Sequence, residues 1–93
     1  MLEWVDVELL AFIERFVKEQ SQWALTAYFG NNLHGEVTAE TIAEQTGLGL
    51  GAIANPLQSL TRLGLLEEVG GREKPLYRMT SDVHLRALAR RFA

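Results

Sequence analysis

The sequence predicts a mainly helical α+β domain built around one hydrophobic core. Its 93 residues are too few for a second core, because typical single domains have about 100 to 150 residues. Five segments carry the three- and four-residue apolar spacing of amphipathic helices. Two short stretches near the C-terminal end read as strands on either side of a glycine-rich loop. We therefore expect helices to form the core and a small hairpin to lie beside them.

Composition excludes several classes of protein. The chain has no cysteine, which excludes disulfides, thiol nucleophiles and thiolate metal sites. No apolar run approaches the length of about 18 residues that a membrane helix needs. The N-terminal residues lack the basic flank and cleavage signature of a targeting segment. From these observations we expect a soluble, cytoplasmic protein that has no membrane partner.

Charge is distributed unevenly along the chain. The formal net charge is −3, but residues 1–47 contain eight acidic and two basic residues, whereas residues 48–93 contain four acidic and seven basic residues. The net charge is therefore −6 for residues 1–47 and +3 for residues 48–93. Such asymmetry predicts an acidic face and a basic face, with chance distribution over short segments as the alternative.

The first helix is predicted over residues 3–19, because apolar side chains recur there at helical spacing. The apolar arc is wide enough to contact both the chain's own core and a second copy, so we expect this helix to pair two chains, with pairing through the last helix as the alternative. The stripe proposed for dimerisation consists of Leu2, Val5, Leu9, Phe12 and Phe16. A second helix follows over about residues 22–33, with small residues that allow a neighbouring helix to approach closely.

Two further helices are predicted in the middle of the chain. Thr38 is placed to cap the third helix through its hydroxyl, and Gly47 is placed to end it in the left-handed conformation. A fourth helix over about residues 50–63 ends at Gly64. Pro56 lies inside it and removes one helical hydrogen bond, so we expect this helix to be kinked or to begin later.

The C-terminal third is predicted to contain a hairpin and a final helix. Residues 65–69 and 76–79 are the two expected strands, joined by the glycine-rich loop 70–75. The last helix is expected over residues 82–92, with Thr80 or Ser81 as its cap. Residues 36–37 are expected only as a short extended link.

The segment from Thr38 to Leu57 resembles a helix-turn-helix motif. Two steeply crossing helices require a small residue at their contact (Ala43), a turn residue that accepts positive φ (Gly47) and an apolar residue six positions later (Ile53). With the flanking helices and the hairpin, the order of elements is similar to winged helix-turn-helix transcription regulators of the MarR, ArsR and TrmB kinds. The resemblance covers about residues 22–82.

This resemblance implies a single winged-helix domain over residues 1–93. Its core would be residues 22–80, with three helices and a two-stranded β-wing, and residues 1–20 and 81–93 would add an accessory helix at each end. The implied function is double-stranded DNA binding by a small homodimeric transcription regulator. In such proteins the helix corresponding to residues 50–63 enters the major groove, and the wing loop contacts phosphates or the minor groove.

Several polar side chains are candidates for contacts with DNA. Asparagine and glutamine can pair with adenine, and arginine with guanine or phosphate, whereas lysine serves as a phosphate contact. The alternative for all of them is an ordinary solvated surface. The candidates are Asn55, Gln58, Ser59 and Arg62 on the fourth helix, Arg72 and Lys74 in the wing, and Arg86 and Arg90 on the last helix.

The start of the fourth helix departs from the usual pattern of such regulators. The positions that commonly read bases are occupied by residues 49–52, Gly-Leu-Gly-Ala, which offer no polar side chain. Their bare backbone could anchor a phosphate, but Leu50 could equally contact protein. A second hypothesis is therefore a winged-helix protein-interaction module, or a subunit of a larger complex, that does not bind DNA directly.

Nothing in the sequence predicts an enzyme. His34 and His84 are the only side chains that could act as bases near neutral pH, and neither has a partner at triad or metal-ligand spacing. We therefore expect no catalytic site, no metal and no cofactor.

Overall fold

A computed structural model describes residues 6–70 and 73–93 of the chain. This part of the chain forms five helices and three strands. In chain order they are α1 (Val7–Phe16), α2 (Gln20–Asn31), β1 (Val37–Thr38), α3 (Ala39–Thr46), α4 (Leu50–Arg62), β2 (Leu66–Val69), β3 (Leu76–Met79) and α5 (Val83–Phe92). None of these helices is long and apolar enough to cross a membrane.

Short polar side chains start three of the helices. Asp6 accepts a hydrogen bond from the Leu9 amide at 3.0 Å and so caps α1. Thr38 caps α3 through the Thr41 amide at 3.2 Å, as predicted. The cap of α5 is Asp82, which accepts from the Leu85 amide at 3.0 Å. The expectation of Thr80 or Ser81 as the cap is therefore wrong.

The first helix is shorter than predicted. Helix α1 ends at Phe16, not at residue 19. The reason is that the Gln22 side chain accepts hydrogen bonds from the backbone amides of Lys18 and Glu19, at 2.6 and 3.2 Å. These bonds replace helical ones and turn the chain into the start of α2.

Helices α3 and α4 are followed by glycines at the positions predicted from the sequence. Gly47 has φ of +76° and Gly64 has φ of +90°, both in the left-handed region that glycine occupies without strain. Helix α4 begins at Leu50 and continues through the buried Pro56. Of the two alternatives predicted from Pro56, a kink or a later start, the later start does not occur. Ala52, whose carbonyl loses its helical partner at Pro56, is an exposed residue, so water can satisfy that carbonyl.

The sheet has three antiparallel strands in the order β1-β3-β2, one more than the predicted two-stranded wing. Val37 pairs with Tyr77 in one ladder, and Glu67 pairs with Arg78 in the other. Part of the link expected at residues 36–37 therefore belongs to an edge strand, β1. On the side away from β2, the backbone N–H and C=O groups of β3 need hydrogen-bond partners, and β1 supplies them. This pairing ties the start of α3 to the wing.

Helix α2 lies at the centre of the core. It packs against α4, α3 and α5, while α5 also packs against α1. A Cβ at Gly30 would lie 2.8 Å from the Cβ of Ala93. Glycine is therefore required at this position for the close approach of α5. The core consists of Phe12, Phe16, Leu25, Phe29, Ile42, Ile53, Leu57, Leu60, Leu65, Leu66, Tyr77, Met79, Leu88 and Ala89.

Candidate nucleic-acid interface

Helices α3 and α4 form the helix-turn-helix that the sequence predicts. The three residues between them begin with Gly47 in the left-handed conformation, which redirects the chain between the two helices. Ile42 on α3 and Ile53 on α4 are fully buried where the pair packs into the core. The Thr46 hydroxyl donates to the Ile42 carbonyl at 2.7 Å and strengthens the last turn before the glycine.

One side of α4 is buried and the other is open to solvent. Ile53, Pro56, Leu57 and Leu60 are buried and hold the helix on the core. The opposite side, called here the open face of α4, consists of Leu50, Gly51, Ala54, Asn55, Gln58 and Arg62. Three of the four predicted polar contacts on this helix therefore lie on one exposed surface.

Ser59 is the exception among the predicted contacts on α4. It is half-buried, and its hydroxyl accepts a hydrogen bond from the Gln22 side chain at 3.3 Å. Its side chain therefore links α4 to α2 and does not belong to the open face. The helical position of Ser59, between the exposed and buried sides, could have indicated this from the sequence.

The wing lysine is held by an acidic residue of α3. Lys74 Nζ lies 3.0 Å from Glu40 Oε2, and both side chains are about half exposed. The hydrogen bond from Lys74 lowers the pKa of Glu40 below its ordinary value, with a further contribution from a backbone hydrogen bond at the start of α3. Arg72, the other predicted wing contact, lies outside the described residues.

A second basic residue beside the wing was not among the predicted contacts. Arg78 on β3 donates to Glu67 at 2.9 Å and to Glu36 at 3.2 Å. The hydrogen bond to Glu67 raises the pKa of Arg78 above its ordinary value, and the charges of both carboxylates add to this effect. The alternation of residues along the two wing strands could have suggested the pairing with Glu67, whereas Glu36 comes from a distant segment. Both basic residues of the wing that the structure describes, Lys74 and Arg78, are thus paired with carboxylates of the same chain.

The predicted contacts on α5 lie on a different helix surface from the open face of α4. Arg86 is half-buried; it donates to the Thr80 carbonyl at 3.1 Å and lies 3.3 Å from His34 Nδ1. Arg90 is exposed on the same helix. Helix α5 packs on α2 and α1, whereas α4 packs on α2, α3 and β2. The packing does not gather Arg86 and Arg90 beside α4.

The predicted dimerisation stripe on the first helix is partly used by the chain's own core. Phe12 and Phe16 are buried at 3% and 0% exposure, so the expectation that they contact a second chain is wrong for this arrangement. The cause is their packing beneath α5, where the Phe12 ring lies 6.2 Å from that of Phe92. Leu9 is half-buried, and Leu2 and Val5 lie outside the described residues. The exposed large apolar side chains of α1 are those of Val7 and Leu10.

The two histidines take part in ordinary surface contacts. His84 Nε2 lies 3.0 Å from Glu8 Oε2, and His34 lies beside Arg86. Within residues 6–70 and 73–93, no three His, Asp or Glu side chains are placed to hold a metal ion.

Solved structures of known proteins share this architecture, although no protein-family model and no curated protein sequence matches the chain. The transcriptional regulator HlyU from Vibrio vulnificus CMCP6 aligns with a TM-score of 0.68 at 16% identity, over 95% of this chain and 86% of that one. MepR from a multidrug-resistant S. aureus clinical isolate aligns with a TM-score of 0.66 at 16% identity, over 99% of this chain and 67% of that one.

A third structure is described as the homodimeric winged helix-turn-helix DNA-binding domain of Mb0332 from Mycobacterium bovis, a possible ArsR-family regulator. It aligns with a TM-score of 0.65 at 23% identity, over 89% of this chain and 74% of that one. At these identities the likeness is one of fold. The chain therefore has the winged helix-turn-helix fold that these proteins share, with an added helix at each end, as the sequence resemblance implied.

Proposed function

We propose that this protein is a small DNA-binding transcription regulator that acts as a homodimer. The observation that carries the proposal is the open face of α4. Its polar residues, Asn55, Gln58 and Arg62, lie on one exposed surface that contains no acidic residue. Amides can pair with adenine, and arginine with guanine or phosphate, so this surface is chemically suited to the major groove.

The phosphate contacts proposed for this complex come from several places. Arg62 is at the C-terminal end of α4, and Lys74 is in the wing, where it would exchange Glu40 for a phosphate. Arg72 in the wing remains a proposed contact. The proposed contacts on the last helix, Arg86 and Arg90, also remain, although α5 does not pack beside α4. The names of the structural neighbours support this function, since HlyU is described as a transcriptional regulator and Mb0332 as having a DNA-binding domain.

Fluorescence anisotropy with a labelled duplex tests DNA binding. A random duplex of about 24 bp is titrated with the protein at salt concentrations from about 50 to 200 mM. We expect affinity to fall as salt rises, by roughly 0.9 log units per log unit of salt for each neutralised phosphate. Absence of binding at about 50 μM, or binding that is indifferent to salt, would reject the function. Selection of bound duplexes from a random pool would then give the site, expected to be a palindrome with half-sites about 10 bp apart.

The proposed homodimer depends on exposed apolar side chains near α1. Val7 is 75% exposed and Leu10 is 47% exposed, and they are three residues apart on one helix. A second copy would remove them from water, together with Leu9 and the N-terminal Leu2 and Val5. The description of the Mb0332 domain as homodimeric supports the association of two copies.

Sedimentation velocity at about 10 to 100 μM tests the dimer. We expect a dimer that Leu10→Glu weakens and that Gln45→Glu leaves intact, because Gln45 is an exposed polar residue on α3 and its substitution adds the same charge. A single species of 10.4 kDa over the whole range would contradict the dimer.

A second function is favoured by Leu50. This leucine is 49% exposed, and the neighbouring residues 49–52 contain no polar side chain. An exposed apolar side chain at this place also suits a protein partner, as in an interaction module or a subunit of a larger complex. This second function requires that DNA binding be absent in the anisotropy titration, and that a purified partner bind the wild type but not Leu50→Glu.

A further inference from the structure

The open face of α4 is chemically divided along its length. Its first part is apolar, with Leu50 and Ala54 one helical turn apart, and Gly51 lies beside them. A Cβ placed on Gly51 would meet nothing within 4 Å, so the space in front of this turn is open. The next turn carries the amides of Asn55 and Gln58, and the only charged residue of the helix, Arg62, is at its end.

The first part of this face has no side chain that can hydrogen-bond a base edge. In the major groove the C5-methyl group of thymine is the apolar feature that a leucine or alanine can contact. The adjacent amides complement this preference, because asparagine and glutamine pair with the N6 and N7 positions of adenine, the partner base of thymine. The apolar residues of the first turn thus suit thymine, and the amides of the next turn suit adenine, the two bases of an A·T pair.

We propose that Leu50 and Ala54 contact thymine methyl groups, so that the protein selects A·T base pairs where the start of α4 faces the major groove. Gly51 allows the helix backbone to approach the groove closely, since no side chain stands between them. This inference rests on the proposed function and adds the base preference and the residues that produce it.

Replacing thymine with uracil tests the inference directly, because uracil lacks the C5-methyl group and keeps the same hydrogen-bonding groups. Two A·T-rich duplexes of about 24 bp and identical sequence, one with thymine and one with uracil in both strands, are titrated with the protein by anisotropy at low salt. We expect the uracil duplex to bind more weakly, by about fourfold for each methyl group that the helix buries.

Two variants assign the effect to its residue. Leu50→Ala should reduce the ratio between the affinities for the thymine and uracil duplexes, because it removes the leucine contact and leaves that of Ala54. Val83→Ala is the control, since Val83 is an exposed apolar residue on α5, which does not pack beside α4. It should retain the full ratio between the duplexes. Circular dichroism melting checks that both variants fold, as expected for exposed positions.

The outcomes separate this inference from the function on which it rests. Salt-dependent binding with equal affinity for the two duplexes overturns the thymine contact and leaves DNA binding in place. A ratio that is as large in Leu50→Ala as in the wild type also overturns it. No salt-dependent binding to either duplex rejects the proposed function and this inference together, and binding of a purified protein partner that Leu50→Ala abolishes would then assign the face to protein docking.

Discussion

Helices α4 and α5 both pack on α2, but they differ in how their charge is used. Helix α5 carries Arg86, Arg90 and Arg91, whereas α4 carries a single arginine, Arg62. A count of charges would therefore select α5 as the surface for DNA. The contacts narrow this difference, because Arg91 pairs with Asp6 at the start of α1 and the Arg86 side chain is held by a hydrogen bond to the Thr80 carbonyl.

The difference teaches that basic residues offer positive charge to a ligand only where the fold leaves it unbalanced. Among the described residues, Arg62 forms no ion pair, and its helix has no acidic residue to repel phosphate. Near the wing, by contrast, Lys74 faces Glu40. A ligand phosphate would have to displace that carboxylate, whereas it could reach Arg62 without breaking an ion pair.

The largest expected effect comes from breaking the packing between α2 and α5. Gly30→Ala places a methyl group against the Ala89 backbone and the Ala93 side chain, so α5 must shift. We expect a loss of about 1 to 3 kcal/mol in the free energy of unfolding, measured by urea denaturation.

Gly51→Ala is the matched control on α4. It adds the same methyl group in open space, and alanine is the better helix former, so stability should be unchanged or rise by up to about 1 kcal/mol. Equal effects of the two substitutions would contradict the difference in packing between the two helices.

Neutralising arginines on the two helices should affect DNA binding differently. Arg62→Gln should weaken binding at low salt by about tenfold, as expected for loss of a charge-assisted contact, and reduce the salt slope by roughly 0.9. Arg90→Gln should have a smaller effect, because α5 does not pack beside α4. Anisotropy titrations give both values. An Arg90 effect equal to or greater than that of Arg62 would show that the interface extends over α5.

Removing the carboxylate that faces the wing lysine should strengthen DNA binding. In Glu40→Gln the Lys74 ammonium is no longer paired with a charge and can bind phosphate, so the salt slope should steepen by roughly 0.9. Glu44→Gln removes the same charge one helical turn later, from an exposed residue that forms no ion pair among those described. If both variants changed the slope equally, the effect would come from net charge and not from release of Lys74.

The smallest effect concerns stability in acid. Because Lys74 lowers the pKa of Glu40 from its ordinary value of 4.5, the ion pair stabilises the folded state above that value. Its contribution is lost as the pH falls through the lower pKa of the folded state. The difference in melting temperature between the wild type and Glu40→Gln should therefore shrink below about pH 4.5. A difference that grows toward acid pH would contradict this sign.

Local chemistry allowed several roles to be predicted from the sequence, although the end of α1 and the cap of α5 were misplaced, and contacts between distant segments were missed. Thr38 and Gly47 act on backbone groups within a few residues, so their roles as cap and turn could be read directly. The strand at Val37 could not, because its partner Tyr77 is far along the chain. Phe12 and Phe16 were assigned to a dimer for a similar reason, since a wide apolar stripe does not reveal which part of it the chain's own α5 covers.

The sequence by itself determined the order of the helices, the left-handed turn at Gly47 and the polar side chains on one side of α4. These depend on side-chain periodicity and on the conformational preferences of single residues. Only the tertiary structure decided which charges are balanced, as when Arg78 meets Glu36 across 42 residues and Arg91 on the last helix meets Asp6 at the start of α1. An ion pair depends on distance in space, and the packing of the helices and strands brings such distant residues together.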